Sequence, residues 1–166
     1  MKKTMQKYAF LDRDGTLIFE PQDTFQVDSL EKLQILDGAV KGLQKLRDLG
    51  YKLVMVTNQN GIGSHSFPTA DFEIPQQAML QIFADGGVTF EQILICPHLP
   101  IDNCICRKPK TGLFDDWLQT VTIDTKQSFV CGDRNTDKGL ADNLGLRFVP
   151  MTTNGNFYTV ITKENL

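Results

Sequence analysis

Short apolar runs alternate along the chain with longer amphipathic stretches. The runs predict strands at Tyr8–Leu11, Lys52–Val56, Gln92–Cys96, Ser128–Cys131 and Arg147–Val149. Between and after them, helices are predicted over Ala39–Leu49, Pro75–Ala84, Leu113–Thr120 and Asp137–Leu144. In the first helix Val40, Leu43, Leu46 and Leu49 recur at helical spacing and turn one face to a core, and Gly50 supplies the stop. Strands alternating with helices form βαβ units. The expected fold class is therefore α/β, a Rossmann-like parallel sheet with helices on both faces and ligands gathered at the carboxyl ends of the strands. No repeat, low-complexity segment or linker interrupts the pattern, so residues 1–166 read as a single domain.

Composition narrows the function classes. The chain has 166 residues, 41% of them hydrophobic and 22% charged, the mix of a globular domain large enough to fold without disulfides. Seventeen basic side chains stand against 20 acidic ones, a net charge of -3. That balance argues against a nucleic-acid partner held by a broad basic face and leaves room for a local cationic pocket. No apolar run approaches the roughly 18 residues of a membrane helix, which argues against a membrane partner. Met1-Lys2-Lys3-Thr4 has the basic character of a signal peptide's start, but the apolar stretch Tyr8–Leu11 is cut off by Asp12. A cytoplasmic location is expected, where cysteines serve as metal ligands or core residues and not as disulfides.

Polar residues cluster where the fold class expects a site. The first strand ends in Asp12-Arg13-Asp14-Gly15-Thr16, the second in Thr57-Asn58-Gln59, and the fourth in Gly132-Asp133-Arg134-Asn135-Thr136-Asp137. Arg107-Lys108-Pro109-Lys110 lies between them. Taken singly, Asp-Gly is a turn, Asp133 a helix cap and Lys108 a solvated charge. Together, three carboxylates at neighbouring strand ends repel one another unless a cation sits among them, and hard oxygen ligands without soft donors suit Mg²⁺. Lys108, Thr57 and Asn58 supply the charge and donors that a phosphoryl group needs.

Over essentially its whole length the sequence resembles the haloacid dehalogenase superfamily of phosphatases. Asp12-Arg13-Asp14-Gly15-Thr16 matches that family's first motif, Thr57 its second, Lys108 its third, and Gly132-Asp133 with Asp137 its fourth. The resemblance implies that Asp12 is the nucleophile and Asp14 the general acid and base. It further implies that Asp12, the main-chain carbonyl of Asp14, and Asp133 hold Mg²⁺, with Asp137 behind them. The chemistry agrees: an aspartyl phosphate splits one hard hydrolysis into two easier transfers once the phosphoryl charge is neutralised. Arg13, between the two carboxylates, points the other way in an extended segment and is a poor candidate for chemistry. With no long insertion after Asp12 or between Thr57 and Lys108, a capless member is expected.

A second cluster follows the third predicted strand. Cys96-Pro97-His98 and Cys104-Ile105-Cys106 each present two side chains on one side of an extended chain. Three thiolates and an imidazole complete a tetrahedral Zn²⁺ shell with no open position, so the metal of loop 96–106 is expected to be structural. The plainer reading, buried cysteines with a core histidine, sits poorly in a loop carrying Pro97, Pro100, Asp102 and Asn103. Cys131, in Phe129-Val130-Cys131, reads as a small core residue. The zinc loop runs into Arg107 and Lys108 and so fixes where two cations stand.

Within the superfamily, Cys-x-His with Cys-x-Cys-Arg-Lys-Pro resembles two groups. One is the histidinol-phosphate phosphatases that form the N-terminal half of a bifunctional histidine-biosynthesis protein, ahead of a dehydratase domain. The other is the heptose-bisphosphate phosphatases. The short loop from His98 to Cys104 favours the first, as do Phe25-Gln26-Val27-Asp28, Ser66–Phe72 and Ile95–Pro100. A small-molecule phosphomonoester is the expected substrate, with Glu20 and Asp23 as candidate partners for its amine. A zinc-ribbon-like interaction domain with inert carboxylates and a nucleic-acid 3′-phosphatase are the remaining readings. His65, Tyr51 and Trp117 carry no expected role.

Overall fold

In a computed structural model describing residues 3–166, twelve helices and strands follow one another. Met1 and Lys2, the start of the segment weighed as a leader, lie outside the described residues. The elements are β1 (Met5–Gln6), β2 (Tyr8–Leu11), α1 (Ala39–Asp48), β3 (Lys52–Asn58), α2 (Thr69–Asp85) and β4 (Gln92–Cys96), then α3 (Asp115–Leu118), β5 (Thr122–Ile123), β6 (Phe129–Gly132), α4 (Asn135–Leu144), β7 (Arg147–Pro150) and α5 (Phe157–Lys163). Five strands form a parallel sheet in the order β4-β3-β2-β6-β7, and β1 pairs with β5 as a separate parallel ribbon.

Alternation along the strands divides the core. Ala9 and Leu11 join Leu53, Met55, Phe129 and Cys131 on one face, under Leu43 and Leu46 of α1, Met79 and Phe83 of α2, and Phe157 and Ile161 of α5. Tyr8 and Phe10 join Val54, Val56 and Val130 on the other, under Phe114, Trp117 and Leu140 of the α3–α4 side. Both faces are covered, which is why the strands read as unbroken apolar runs. Trp117 and Tyr51 pack edge-on against Tyr8 and Phe129 respectively. Among the described residues no helix is long and apolar enough to cross a membrane.

The chain builds outward from β2 through β3 to β4, then returns to the other side of β2 to lay down β6 and β7. That reversal opens a crevice at the carboxyl ends of β2 and β6, where parallel sheets take their ligands. The backbone N–H of Asp12 donates to the carbonyl of Cys131 at 3.0 Å across this junction.

Several expectations shift: α4 starts two residues early, at Asn135, and β1 and β5 were not foreseen. β3 runs on to Asn58, because Thr57 and Asn58 pair with Ile95 and Cys96. α2 starts at Thr69, before Pro75, which is buried inside the helix instead of opening it. Leu113–Thr120 resolves into a 3-10 turn, Gly112–Phe114, followed by the single turn of α3. α5 is unforeseen; the Asn156 side chain caps it by accepting from the Thr159 N–H at 3.0 Å, and Phe157 packs onto Gly42 of α1.

Candidate active site

Asp12 follows β2, and Lys108 reaches it from the loop after the cysteine cluster. The Lys108 ammonium is buried and donates to Asp12 Oδ1 at 2.8 Å, to the Val56 carbonyl at 2.8 Å and to Asp137 Oδ1 at 2.7 Å. Three acceptors use its three N–H bonds. Burial alone would discharge the amine, but Asp12 and Asp137 outweigh it and raise its pKa above the ordinary lysine range. Lys108 thus serves by charge and by orienting Asp12, with no donor left over. Asn58 clamps the lysine's own peptide: its Oδ1 accepts from the Lys108 N–H at 3.0 Å and its Nδ2 donates to the Lys108 carbonyl at 3.3 Å. That corrects the expectation of Asn58 as a free phosphate donor, since its polar ends are largely spent on the backbone.

Asp12, Asp133 and Asp137 bring carboxylate oxygens within 4.8 Å of one another. Asp137 is engaged, by Lys108 on Oδ1 and by the Arg134 N–H on Oδ2 at 3.2 Å. Asp133 is not. Its Oδ2 accepts from Thr153 Oγ1 at 2.7 Å, while its Oδ1 is buried without a hydrogen-bond partner. Burial, with Asp12 beside it, pushes the Asp133 pKa up to about 7. An orphaned buried oxygen next to a second carboxylate suits a hard divalent cation, so the residues present fit Mg²⁺ between Asp12 and Asp133. Gly15 makes the approach possible: its φ is 82°, and a Cβ there would lie 2.5 Å from Asp133 Oδ2.

Asp14 is held from behind. Arg13, expected to point away from the chemistry, is fully buried, yet its guanidinium folds back onto the Asp14 carboxylate, with Nε 3.3 Å from Oδ2 and Nη2 3.1 Å from Oδ1. Gln59 Nε2 donates to Asp14 Oδ2 at 2.5 Å and to Thr57 Oγ1 at 2.8 Å. Thr57 is therefore covered, and Gln59 lines the cleft at this point. Neither Arg13 nor Gln59 was singled out as functional. Parity along a strand cannot register a long side chain that curls back, nor a glutamine that reaches across two strand ends.

The cleft over these residues has a volume of about 280 Å³ and is walled by Glu20, Phe25, Gln26, Phe67, Arg107 and Arg134, among others. Arg107 is fixed by Asn60 and by the His98 carbonyl, 3.3 Å away. Glu20 is buried and already paired with Arg134 at 2.5 Å; burial raises its pKa while Arg134 pulls the other way. Asp23 is exposed, caps the Thr24 N–H at 2.8 Å and lies outside the cleft wall. The expectation that these two acids wait for an amine is thus corrected: Asp23 is turned to solvent, and Glu20 holds an arginine that motif reading passed over.

In loop 96–106 the four expected ligands converge. Cys96 Sγ lies 3.7 Å from Cys104 Sγ and 3.5 Å from His98 Nδ1, while Cys106 Sγ is 3.0 Å from Cys96 and 3.1 Å from His98. A tetrahedral Zn²⁺ with thiolates at about 2.3 Å spaces its ligand atoms by about 3.5–3.8 Å, so the set fits zinc with little adjustment. Burial pushes the Cys96 thiol up to about 12. At Cys104, desolvation is outweighed by the backbone N–H groups of Cys106 and Arg107, and the thiol falls to about 6. The loop is tied to the cleft, since the N–H groups of Gln59 and Gly61 donate to the carbonyls of Cys96 and Pro97, each at 2.8 Å. Cys131 is buried in the core, as expected.

Known proteins resemble this chain throughout. It is 49% identical over 148 residues to the histidine biosynthesis bifunctional protein HisB of Legionella pneumophila (strain Lens), which covers 89% of this chain and 42% of that protein. The protein of the same name from Blochmanniella floridana is 51% identical over 141 residues, 85% of this chain and 40% of that one. The chain thus spans less than half the length of the curated relatives it matches. Among solved structures, D,D-heptose 1,7-bisphosphate phosphatase from B. bronchiseptica, complexed with magnesium and phosphate, superposes with a TM-score of 0.80 at 28% identity, over 97% of this chain and 88% of that one. The model of the polynucleotide kinase 3 phosphatase family matches residues 7–154, a stretch that takes in both carboxylate motifs, Lys108 and the cysteine loop. The chain belongs to the polynucleotide kinase 3 phosphatase family and is a phosphatase of the haloacid dehalogenase superfamily.

Proposed function

We propose that the chain hydrolyses histidinol phosphate to histidinol and phosphate through an aspartyl phosphate on Asp12, as a step of histidine biosynthesis. The observation that carries the reaction is Asp12 set between the Lys108 ammonium and the unpartnered Asp133 Oδ1. The substrate rests on the 49% identity to the histidine-biosynthesis protein and on the short zinc loop.

In the first half-reaction an Asp12 carboxylate oxygen attacks phosphorus, the P–O bond to the substrate alcohol breaks, and Asp14 gives its proton to the leaving oxygen. In the second, a water oxygen attacks the same phosphorus, its proton passes to Asp14, and the Asp12–phosphorus bond breaks to release phosphate. Mg²⁺, held by Asp12, Asp133 and the main-chain carbonyl of Asp14, supplies neutralisation of phosphoryl charge when bound. Lys108 keeps Asp12 aimed and Asp137 keeps Lys108 in place. Arg107 and Arg134, which line the cleft, serve the phosphate oxygens. Phe25, Phe67 and the Glu20–Arg134 pair form the wall for the rest of the substrate. Relatives extending well beyond the matched region accord with a second domain, a dehydratase, elsewhere in the natural protein.

Phosphate release from three substrates tests this reading. We expect kcat/KM for histidinol phosphate to exceed that for a heptose 1,7-bisphosphate and for a 3′-phosphorylated oligonucleotide by at least about tenfold. The heptose reading draws on the structural neighbour and on the two cleft arginines, so a preference for the heptose would replace the substrate proposed here. Release from none of the three would contradict the phosphomonoesterase reading altogether.

A further inference from the structure

Arg13 is the largest of the fully buried side chains among the described residues. A guanidinium is kept out of water only where its charge is met and its donors are used. Both conditions hold. Nη1 donates to Gln76 Oε1 at 2.8 Å, Nη2 to Gln59 Oε1 at 3.2 Å and to Asp14 Oδ1 at 3.1 Å, and Nε to Asp14 Oδ2 at 3.3 Å. The cation lies over the Phe72 ring, 5.0 Å from its centroid. Phe72 and Gln76 stand one turn apart on α2, so that helix braces the arginine on two sides. Among the described residues, the carboxylate that Arg13 meets is that of Asp14.

Core packing alone does not require this arrangement, because an apolar side chain fills such a space without a buried charge. The arrangement does suit proton transfer. A carboxyl group swings about a soft terminal torsion, and small misplacements of a catalytic group are costly. Here Asp14 Oδ2 takes two donors, Arg13 Nε and Gln59 Nε2, whereas Oδ1 takes one. Oδ1 therefore keeps the open position, and the transferable proton belongs there.

We propose that Arg13, braced by Gln59, Gln76 and Phe72, is a positioning residue that aims Asp14 Oδ1 at the leaving oxygen. This rests on the reading of Asp14 as acid and base given above. During ester cleavage the P–O bond breaks, the electron pair stays on the leaving oxygen, and the proton from Oδ1 neutralises it. An alkoxide needs that proton; p-nitrophenolate leaves without it.

The test compares kcat/KM, which counts steps through ester cleavage, for an alkyl phosphate and for p-nitrophenyl phosphate. Arg13→Lys keeps the charge but loses the fork. It is expected to lose about ten- to a hundredfold on the alkyl ester and no more than about threefold on p-nitrophenyl phosphate. Gln76→Leu leaves Arg13 in place without its brace and is expected to show the same bias, smaller. Should Arg13→Lys fail to fold, Gln76→Leu carries the test alone. Asp14→Asn is expected to show the largest bias, with Arg13→Lys adding little on top of it. Equal losses on both esters in the Arg13 and Gln76 variants, while Asp14→Asn keeps its bias, would reduce Arg13 to a structural residue and overturn the proposal. No bias in Asp14→Asn would instead remove the acid reading itself, and the proposal with it.

Discussion

At Lys108 one ammonium separates two buried carboxylates, and its removal leaves Asp12 and Asp137 facing each other uncompensated. Breaking a buried pair on one side costs about 3–5 kcal/mol, so Lys108→Met is predicted to lose about that much in denaturant unfolding of the metal-free protein. Adding Asp137→Asn should return part of it; a Lys108→Met protein of unchanged stability would contradict the bonding described. Asp133 makes a second prediction. Its pKa is raised by burial and by Asp12 to about 7, so the stability conferred by its protonation is present at acid pH and lost as pH rises through that value. Mg²⁺ takes the ionised form, and the thermal shift on adding Mg²⁺ should therefore grow from pH 6 to pH 8. A larger shift at pH 6 would count against Asp133 as a ligand. The residues behind both predictions were legible because their types and spacing carry the chemistry. Arg13, Gln59 and the Glu20–Arg134 pair were not: each depends on a side chain meeting a partner distant in sequence, as when Arg13 meets Gln76 of α2.

At the level of elements, buried parallel strands announce themselves as apolar runs, and all five of the main sheet stand where the pattern puts them, within a residue or two at their ends. Helix limits were harder, since Pro75 is taken as a start when it is in fact interior, and α5 hides behind the turn residues Asn154, Gly155 and Asn156. The α1–α5 contact gives a test of packing over propensity. Alanine for glycine ordinarily favours a helix by about 0.5–1 kcal/mol. At Gly42, however, the new Cβ would lie 2.4 Å from Phe157 Cδ1, and overpacking costs about 1–3 kcal/mol. Gly42→Ala is thus predicted to lower stability, and Gly42→Ala with Phe157→Leu to lose less than the two single changes summed. The cysteine loop is tested by Cys106→Ser. Elemental analysis should show zinc lost, and KM should rise more than kcat falls, because Arg107 and Lys108 follow the loop directly. Zinc content unchanged by that substitution would refute the ligand set.

For the molecule as a whole, the reversal of strand order beside β2 is what turns scattered sequence motifs into one centre. It brings Asp12 from one end of the chain against Asp133 and Asp137 from the other, with Lys108 delivered between them by the cysteine loop. The fold class and the carboxylate set could be read in advance because parallel sheets place their sites by rule. The cleft wall could not, since Glu20, Phe67 and Arg134 come from three separate connections whose course depends on packing. The decisive chemical event is transfer of the phosphoryl group to Asp12. Its most direct test is acid-quench trapping during turnover of histidinol phosphate with Mg²⁺, followed by peptide mass spectrometry. A phosphoryl group is predicted on Asp12, and Asp12→Asn should show neither the adduct nor phosphate release. Phosphate release that persists in Asp12→Asn, or an adduct on another residue, would contradict the claim.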